Sequence, residues 1–354
     1  MLKFKIIFLC GILLFISCNE DPKFIKTEYK VDNHIQYNLK LIQYIEDLFN
    51  IETIELETTN KILIGKVKKI TYDKSNNFLI VDANNTIFKF DKDGKFIKKI
   101  NFTGRGPGEY LTLENIITDK NSNIIVEDSK GLKFIKYDSD FNFISSFPKK
   151  VFSTVSDWLI EDNKLTCFYS GISIYDDLDK SIYTYDLNSG EIINKSGIVP
   201  EAHEKFDVLQ AGGSLLNSQE ALYYQYPLDY QLYASKNSKN YILFDEIPSN
   251  FKTIDKKFNV NELKPKYSIL LKSFIIKNLI FIKFINPNDD AGILTFNIHD
   301  MNGNLVKSNL KTKNLFGKLI IVDNKIIHIN DYKRKISSKL QRLNPFINIY
   351  TFKY

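Results

Sequence analysis

The chain has 354 residues, a net charge of +6 from 48 basic and 42 acidic side chains, and three cysteines. That length supports one large domain or two small ones. The weak, scattered positive charge leaves no basic block of the kind that would argue for nucleic acid, and three cysteines cannot build a disulfide framework. Twenty-seven Phe and 20 Tyr, with much Ile and little Ala, are the composition of strands.

In chain order, Lys3 and Lys5 precede an apolar run from Ile6 to Ile16, then Ser17-Cys18 and the polar Asn19-Glu20-Asp21-Pro22. A spanning helix needs roughly 20 apolar residues, so residues 1–17 read as a secretory signal peptide. Leu14-Phe15-Ile16-Ser17-Cys18 resembles a bacterial lipobox, which implies acylation of Cys18 and attachment to the outer membrane. The alternative is a plain signal peptide with an incidental cysteine. Glu20 and Asp21 just after Cys18 resemble the surface-export signal of Bacteroidota lipoproteins, which favours the cell surface over a tether facing the periplasm. Cys10 leaves with the signal and Cys18 would be acylated, so Cys167 alone remains, and in its apolar stretch it reads as a small buried hydrophobe.

Residues 18–50 form the tether. Ile35, Leu39, Ile42, Ile45 and Phe49 lie three or four apart, which predicts one short amphipathic helix packed on the following domain.

From residue 51 to 354 the sequence is read as one all-β domain. Val67–Asp73, Phe78–Asp82, Thr86–Phe90 and Lys95–Ile100 make a four-stranded meander, and the same phrase returns from Ile116 to Ile144. Asp73 and Asp119, like Asp82 and Asp128, are 46 positions apart, a period close to that of propeller blades. Looser copies make a third, fourth and fifth unit. A sixth unit, from Leu319 to Phe352, lacks one strand. Ile51–Glu57 alternates cleanly and is its natural partner, so the expected fold is a six-bladed β-propeller closed by an N-terminal strand that joins the last blade. A pair of stacked β-sandwiches is the alternative.

Gly104-Arg105-Gly106-Pro107-Gly108-Glu109-Tyr110, together with Ile54–Thr59 and Leu63–Val67, resembles the six-bladed β-propeller lipoproteins of Bacteroidota, a group related to NHL-repeat propellers. The resemblance implies fold and location and brings no catalytic residues. The glycine motif lacks the Lys-Ser/Thr and the helix of a phosphate loop. It reads as a tight crossing between blades in which the glycines allow positive φ and close approach, with Arg105, Glu109 and Tyr110 as candidate ligand contacts. Arg105 either pairs with Glu109 or faces the central channel.

Asp91-Lys92-Asp93-Gly94 resembles the start of a calcium loop, but Phe102 stands where the twelfth-position ligand is needed. Its recurrence in other repeats marks a hairpin turn. None of His34, His203, His299 and His328 has a partner at zinc spacing. In Tyr223–Tyr226 alternate rings share one face, so Tyr224 and Tyr226 are either further binding residues or interblade packing.

Two functions are compatible with this pattern. One is a non-enzymatic envelope protein that binds a glycan, peptide or partner protein over the channel mouth, with no cofactor. The other is a propeller metalloenzyme of lactonase or lyase type with a channel-bound metal, for which Glu109, Asp157 and Asp207 are candidate acids. The side chains lining the channel discriminate between them.

Overall fold

The computed structural model describes residues 23–24, 35, 39–171, 180–199, 213–218, 221–236, 239–244, 246–253, 267–287, 289, 293–312, 318–330, 335–336, 339–340 and 344–354. It is a six-bladed β-propeller, each blade an antiparallel meander of four strands. Blade 1 comprises Val67–Tyr72, Phe78–Asp82, Ile87–Phe90 and Phe96–Ile100. Blade 2 comprises Leu113–Thr118, Ile124–Asp128, Lys133–Tyr137 and Phe143–Pro148. Blade 3 runs through Asp157–Glu161, Lys164–Phe168, Ile182–Asp186 and Ile192–Ser196, and blade 4 through Ser214–Asn217, Leu222–Gln225, Tyr233–Lys236 and Lys239–Ile242. Blade 5 is Ile269–Ile276, Leu279–Ile285, Leu294–Asp300 and Leu305–Thr312. Blade 6 takes Lys318–Val322, Lys325–Asn330 and Phe346–Phe352 from the C-terminal end, and its outer strand is Phe49–Glu55.

The closing strand is the one expected, two residues earlier than its sequence pattern placed it. It pairs antiparallel with the last strand from Phe49↔Phe352 to Glu55↔Phe346. Joining both ends of the chain in one sheet leaves the ring no open seam. Each of the six hydrophobic clusters fills one wedge between neighbouring blades, the wedge between blades 5 and 6 included. Cys167 lies in the wedge between blades 2 and 3, and burial pushes its thiol well above the ordinary range.

The segment before the closing strand packs on the ring as its apolar spacing demands. Residues 39–41 are helical, and Ile45–Leu48 form a 3-10 turn. Leu39, Ile45 and Leu48 are fully buried in the wedge of blades 5 and 6. The helix does not run on to Phe49, because Phe49 already begins the closing strand. Two short additions were not legible as strands. Lys23–Phe24 pairs parallel with the outer strand of blade 4, giving that blade a fifth strand. Lys335–Ile336 and Lys339–Leu340 pair as a separate two-stranded sheet in the connection between the second and third strands of blade 6.

The repeated aspartates explain the period. Asp73, Asp119, Asp138 and Asp300 each accept the backbone N–H groups two and four residues on, and each is bound by the side-chain amide of the Asn four residues on. Asp91 makes the same backbone bonds, to Asp93 and Lys95, so Asp91–Gly94 is a hairpin turn with Gly94 at φ +80°. Asp82 and Asp128 do a second job 46 positions apart. Asp82 holds Gly65 N–H, and Asp128 holds Leu111 and Thr112 N–H. Each thereby ties its blade to the connection that enters it.

A meander places the turns after first and third strands at one end of the ring, and all other connections at the opposite end. The two ends differ. No turn at the first end exceeds five residues, as in Asp73–Asn77. At the other end the connection from blade 4 to blade 5 takes 26 residues, and that from blade 3 to blade 4 takes 17.

Candidate functional site

The first strands of blades 6, 1, 2, 3, 4 and 5 touch one another in that order around the axis, so their side chains line the channel. They begin at the end that carries the long connections. In blades 1, 2 and 5 the register slips by one residue near this start, at Lys68, Glu114 and Leu271. A bulge of this kind re-aims side chains at a sheet end.

The resulting group is rich in lysine. Lys68 Nζ lies 3.2 Å from the Glu114 carboxylate and donates to Leu113 O at 2.7 Å. Lys272 of blade 5 is bound to Asp157 of blade 3 across the axis, past blade 4. Asp157 also accepts Leu215 N–H of blade 4 at 2.8 Å. Lys69 of blade 1 is depressed chiefly by burial, and the charges it feels belong to Lys318, Asp157, Glu114 and Lys272, on four other blades. Only a group close to the axis can meet all four. Lys283, on the second strand of blade 5, stands directly across from Lys272. It is buried, and desolvation with the like charges of Lys272 and Lys318 pushes it down to about 7. Lys318 opens the first strand of blade 6 and is exposed. Five ammonium groups thus meet two carboxylates.

On the far side of the ring the polar groups are balanced. Glu127 accepts from Lys149 Nζ at 2.7 Å, from Asn115 Nδ2 at 2.5 Å and from Val155 N–H at 3.2 Å. Lys149 gives a further bond to Ser153 O at 3.0 Å. Between blades 4 and 5, His299 donates from Nδ1 to Gly303 O at 2.9 Å. It is therefore left to accept the Tyr230 hydroxyl at Nε2 at 2.8 Å. Burial lowers it to about 4, so it is a neutral, satisfied strand histidine.

The residues singled out in the sequence do not come together. Arg105 and Glu109 are exposed in the connection from blade 1 to blade 2, and no ion pair joins them. Glu109 instead accepts Gly106 N–H at 2.7 Å. None of Gly104, Gly106 and Gly108 has positive φ, contrary to expectation. A Cβ at Gly104 would stand 2.0 Å from the Glu109 carboxylate and would push it from its bond to Gly106 N–H. Tyr110 is buried, accepting Phe102 N–H at 3.1 Å and donating to Asn85 O at 2.9 Å. Tyr224 and Tyr226 are likewise fully buried, in the wedge of blades 3 and 4, with their hydroxyls on the backbone of Ile198. Their rings and that of Tyr110 are covered, so the packing reading replaces the contact one: an aromatic face cannot stack on a ligand while a neighbouring blade lies against it.

Among the described residues no three of His, Cys, Asp and Glu gather as metal ligands would. Glu109 is engaged in its own loop and Asp157 is held by Lys272, while Asp207, His34, His203 and Cys18 lie outside the described residues. A surplus of ammonium groups repels a divalent cation and attracts an anion, so the described lining of the channel suits an anion better than a metal. The channel lysines carry no motif in the sequence. The available signal was their recurrence at the starts of first strands.

Among the described residues no helix is long and apolar enough to cross a membrane. No curated protein matches the sequence. The fold is similar to that of a proposed exported protein of Bacteroides fragilis NCTC 9343, with a TM-score of 0.61, 15% identity, and coverage of 88% of this chain and 97% of that one. A DUF4221 member from Bacteroides vulgatus gives a TM-score of 0.61 at 12% identity, over 86% of this chain and 98% of that one. A gluconolactonase of Xanthomonas campestris gives 0.50 at 8% identity, over 94% and 96%. At such identities these likenesses show the fold alone. The family model described as "Domain of unknown function (DUF4934)" matches residues 25–350, and the chain belongs to that family.

Proposed function

We propose that this protein is an exported, lipid-anchored propeller that binds a glycan, peptide or partner protein, without chemical turnover, over the long-connection end of its channel. The observation that carries this reading is the inequality of the two ends. Turns of at most five residues close one end, and the connections at the other run to 26 residues. Long connections on a rigid scaffold are where recognition surfaces are built. The lysines converge at that same end.

Acylation at Cys18 and placement on the cell surface, with kinship to NHL-repeat propellers, belong to the same proposal. The signal-like N-terminus, the acidic pair Glu20-Asp21 and the export ascribed to the Bacteroides fragilis relative support it. Five positions separate Cys18 from Lys23, where the chain joins blade 4. That span reaches at most about 17 Å, so a lipid on Cys18 keeps the outer edge of blade 4 near the membrane.

The test is array binding with the purified protein, followed by mass spectrometry of what is retained. The expected result is a ligand recovered unaltered, lost on Arg105→Glu in the long-connection end and kept on Lys92→Glu in the short-turn end. Conversion of the retained ligand would overturn the non-enzymatic reading. For the anchor, Cys18→Ala should release the protein from membranes, and unchanged retention rules the lipid out.

A further inference from the structure

We infer that the channel mouth holds an oxyanion, a carboxylate or a phosphate or sulfate group, against Lys283 and Lys318. The inference rests on the long-connection end being the recognition surface and adds the chemistry that it selects.

Three observations converge. The first is the excess of charge. Lys68 is matched by Glu114, and Lys272 by Asp157, whereas the side chains of Lys69, Lys283 and Lys318 make neither ion pair nor hydrogen bond with the described residues.

The second is where the excess sits. Lys283 is 2% exposed. Other buried lysines of this protein are satisfied: Lys149 by Glu127 and Ser153, Lys89 by Asp73 at 3.2 Å and Ser139 O at 3.0 Å. The Lys283 stem is enclosed and its ammonium faces the like charges of Lys272 and Lys318, which is unfavourable, and an apolar side chain beside Phe281 and Leu279 would fill the same wedge without that penalty. A counter-charge brought by a ligand removes it.

The third is access. Lys318 is exposed and Lys69 is half-buried, so the group meets solvent at Lys318. Among the described residues, the first strands of blades 5 and 6 also approach each other less closely than the other neighbouring first strands, and that is where Lys272 and Lys283 face Lys318.

The lysines act as point charges on flexible stems, which suits a single oxyanion gripped from several sides rather than a flat bidentate contact. Lys272 stays with Asp157 and sets the inner limit of the site.

The experiment is thermal denaturation and calorimetry of the full chain with sodium phosphate, sodium sulfate or sodium glucuronate, each against sodium chloride at matched ionic strength. A ligand that binds only the folded state raises Tm with its concentration. The expected result is a saturable rise with at least one of the three anions. A larger effect of phosphate or sulfate identifies a phosphoryl or sulfuryl group as the natural source, and a larger effect of glucuronate identifies a sugar acid. Lys283→Met and Lys318→Met should each weaken binding by roughly ten- to a hundredfold, the worth of a charge-assisted contact, while Lys92→Met leaves it unchanged. Lys318 is exposed, so its loss does not endanger folding.

No rise beyond chloride with any anion, or an undiminished rise in both channel variants, overturns the inference. Either result would leave intact a ligand retained on the array and lost on Arg105→Glu. Loss of array binding with anion binding kept would sink the broader reading instead.

Discussion

Two sides of the same channel treat buried lysine in opposite ways. Between blades 2 and 3, Lys149 and Glu127 are both wholly shielded from solvent and bonded to each other, and Asn115, Val155 and Ser153 take up their remaining capacity. Between blades 5 and 6, Lys283 is nearly as buried, and among the described residues the charges facing it are Lys272 and Lys318. The first arrangement is closed upon itself and offers nothing to a ligand. The second is incomplete. Ring architecture alone does not explain the difference, since both wedges join the same kinds of strand. The balanced side holds the scaffold, and the unbalanced side is where a ligand has something to add.

The contrast can be broken most sharply at its balanced end. Glu127→Ala strands the Lys149 ammonium in a dry wedge and should destabilise the fold by about 3–5 kcal/mol in urea denaturation. A loss below about 1 kcal/mol would mean that the pair contributes no more than a surface contact.

Lys283→Met should do the reverse, raising stability by about 1–4 kcal/mol at neutral pH. The sign follows from linkage. The folded protein lowers this lysine from 10.5 to about 7, so the unfolded chain binds the extra proton and stability declines as pH falls from 10.5 through 7. The gain from Lys283→Met should therefore be full at and below neutral pH and vanish in alkali. Paired urea titrations across that range check it, and a Met variant less stable than the parent at pH 7 refutes the contrast.

A third kind of buried group sharpens the comparison. His299 is neither paired with an opposite charge nor left unbonded; it is kept neutral, lowered from 6.5 to about 4. The unfolded chain takes up its proton first, so stability should fall by up to about 3 kcal/mol as pH drops from 6.5 to 4. His299→Asn should flatten that slope, and an unchanged slope would assign it to other groups.

The smallest effect is expected where no charge is involved. Tyr110→Phe removes a hydroxyl that accepts Phe102 N–H and donates to Asn85 O, and should cost about 1–2 kcal/mol. The variant's melt should stay a single cooperative transition.

Much of the fold was legible because its determinants are local. Alternation along Thr86–Phe90 is enough to make a strand with two distinct faces. Asp73 and Asp119 recur 46 positions apart because each blade needs the same side-chain-capped hairpin. The closing strand was readable from an unpaired alternating segment and a blade short by one strand. The two-residue offset at Phe49 arose because a phenylalanine satisfies helix and strand patterns alike.

The candidate site was legible only in its address. Arg105 and Glu109 do lie in a long connection, but Glu109 turns inward to its own loop. Tyr110, Tyr224 and Tyr226 were ambiguous because an aromatic strand face looks the same whether a ligand or the next blade covers it. The parallel pairing of Lys23–Phe24 with blade 4 could not be foreseen, since two residues carry no period.

By itself, then, the sequence determined the strands, the hairpins, the count of blades and the way they close, because these follow from side-chain alternation and short-range hydrogen bonding. The charge pattern of the channel was decided only by the tertiary structure. Lys69, Asp157, Lys272, Lys283 and Lys318 come from blades scattered through the chain, and only closure of the ring brings them within reach of one another's fields. Whether a lysine there is neutralised or left waiting depends on which side chains the neighbouring blades present.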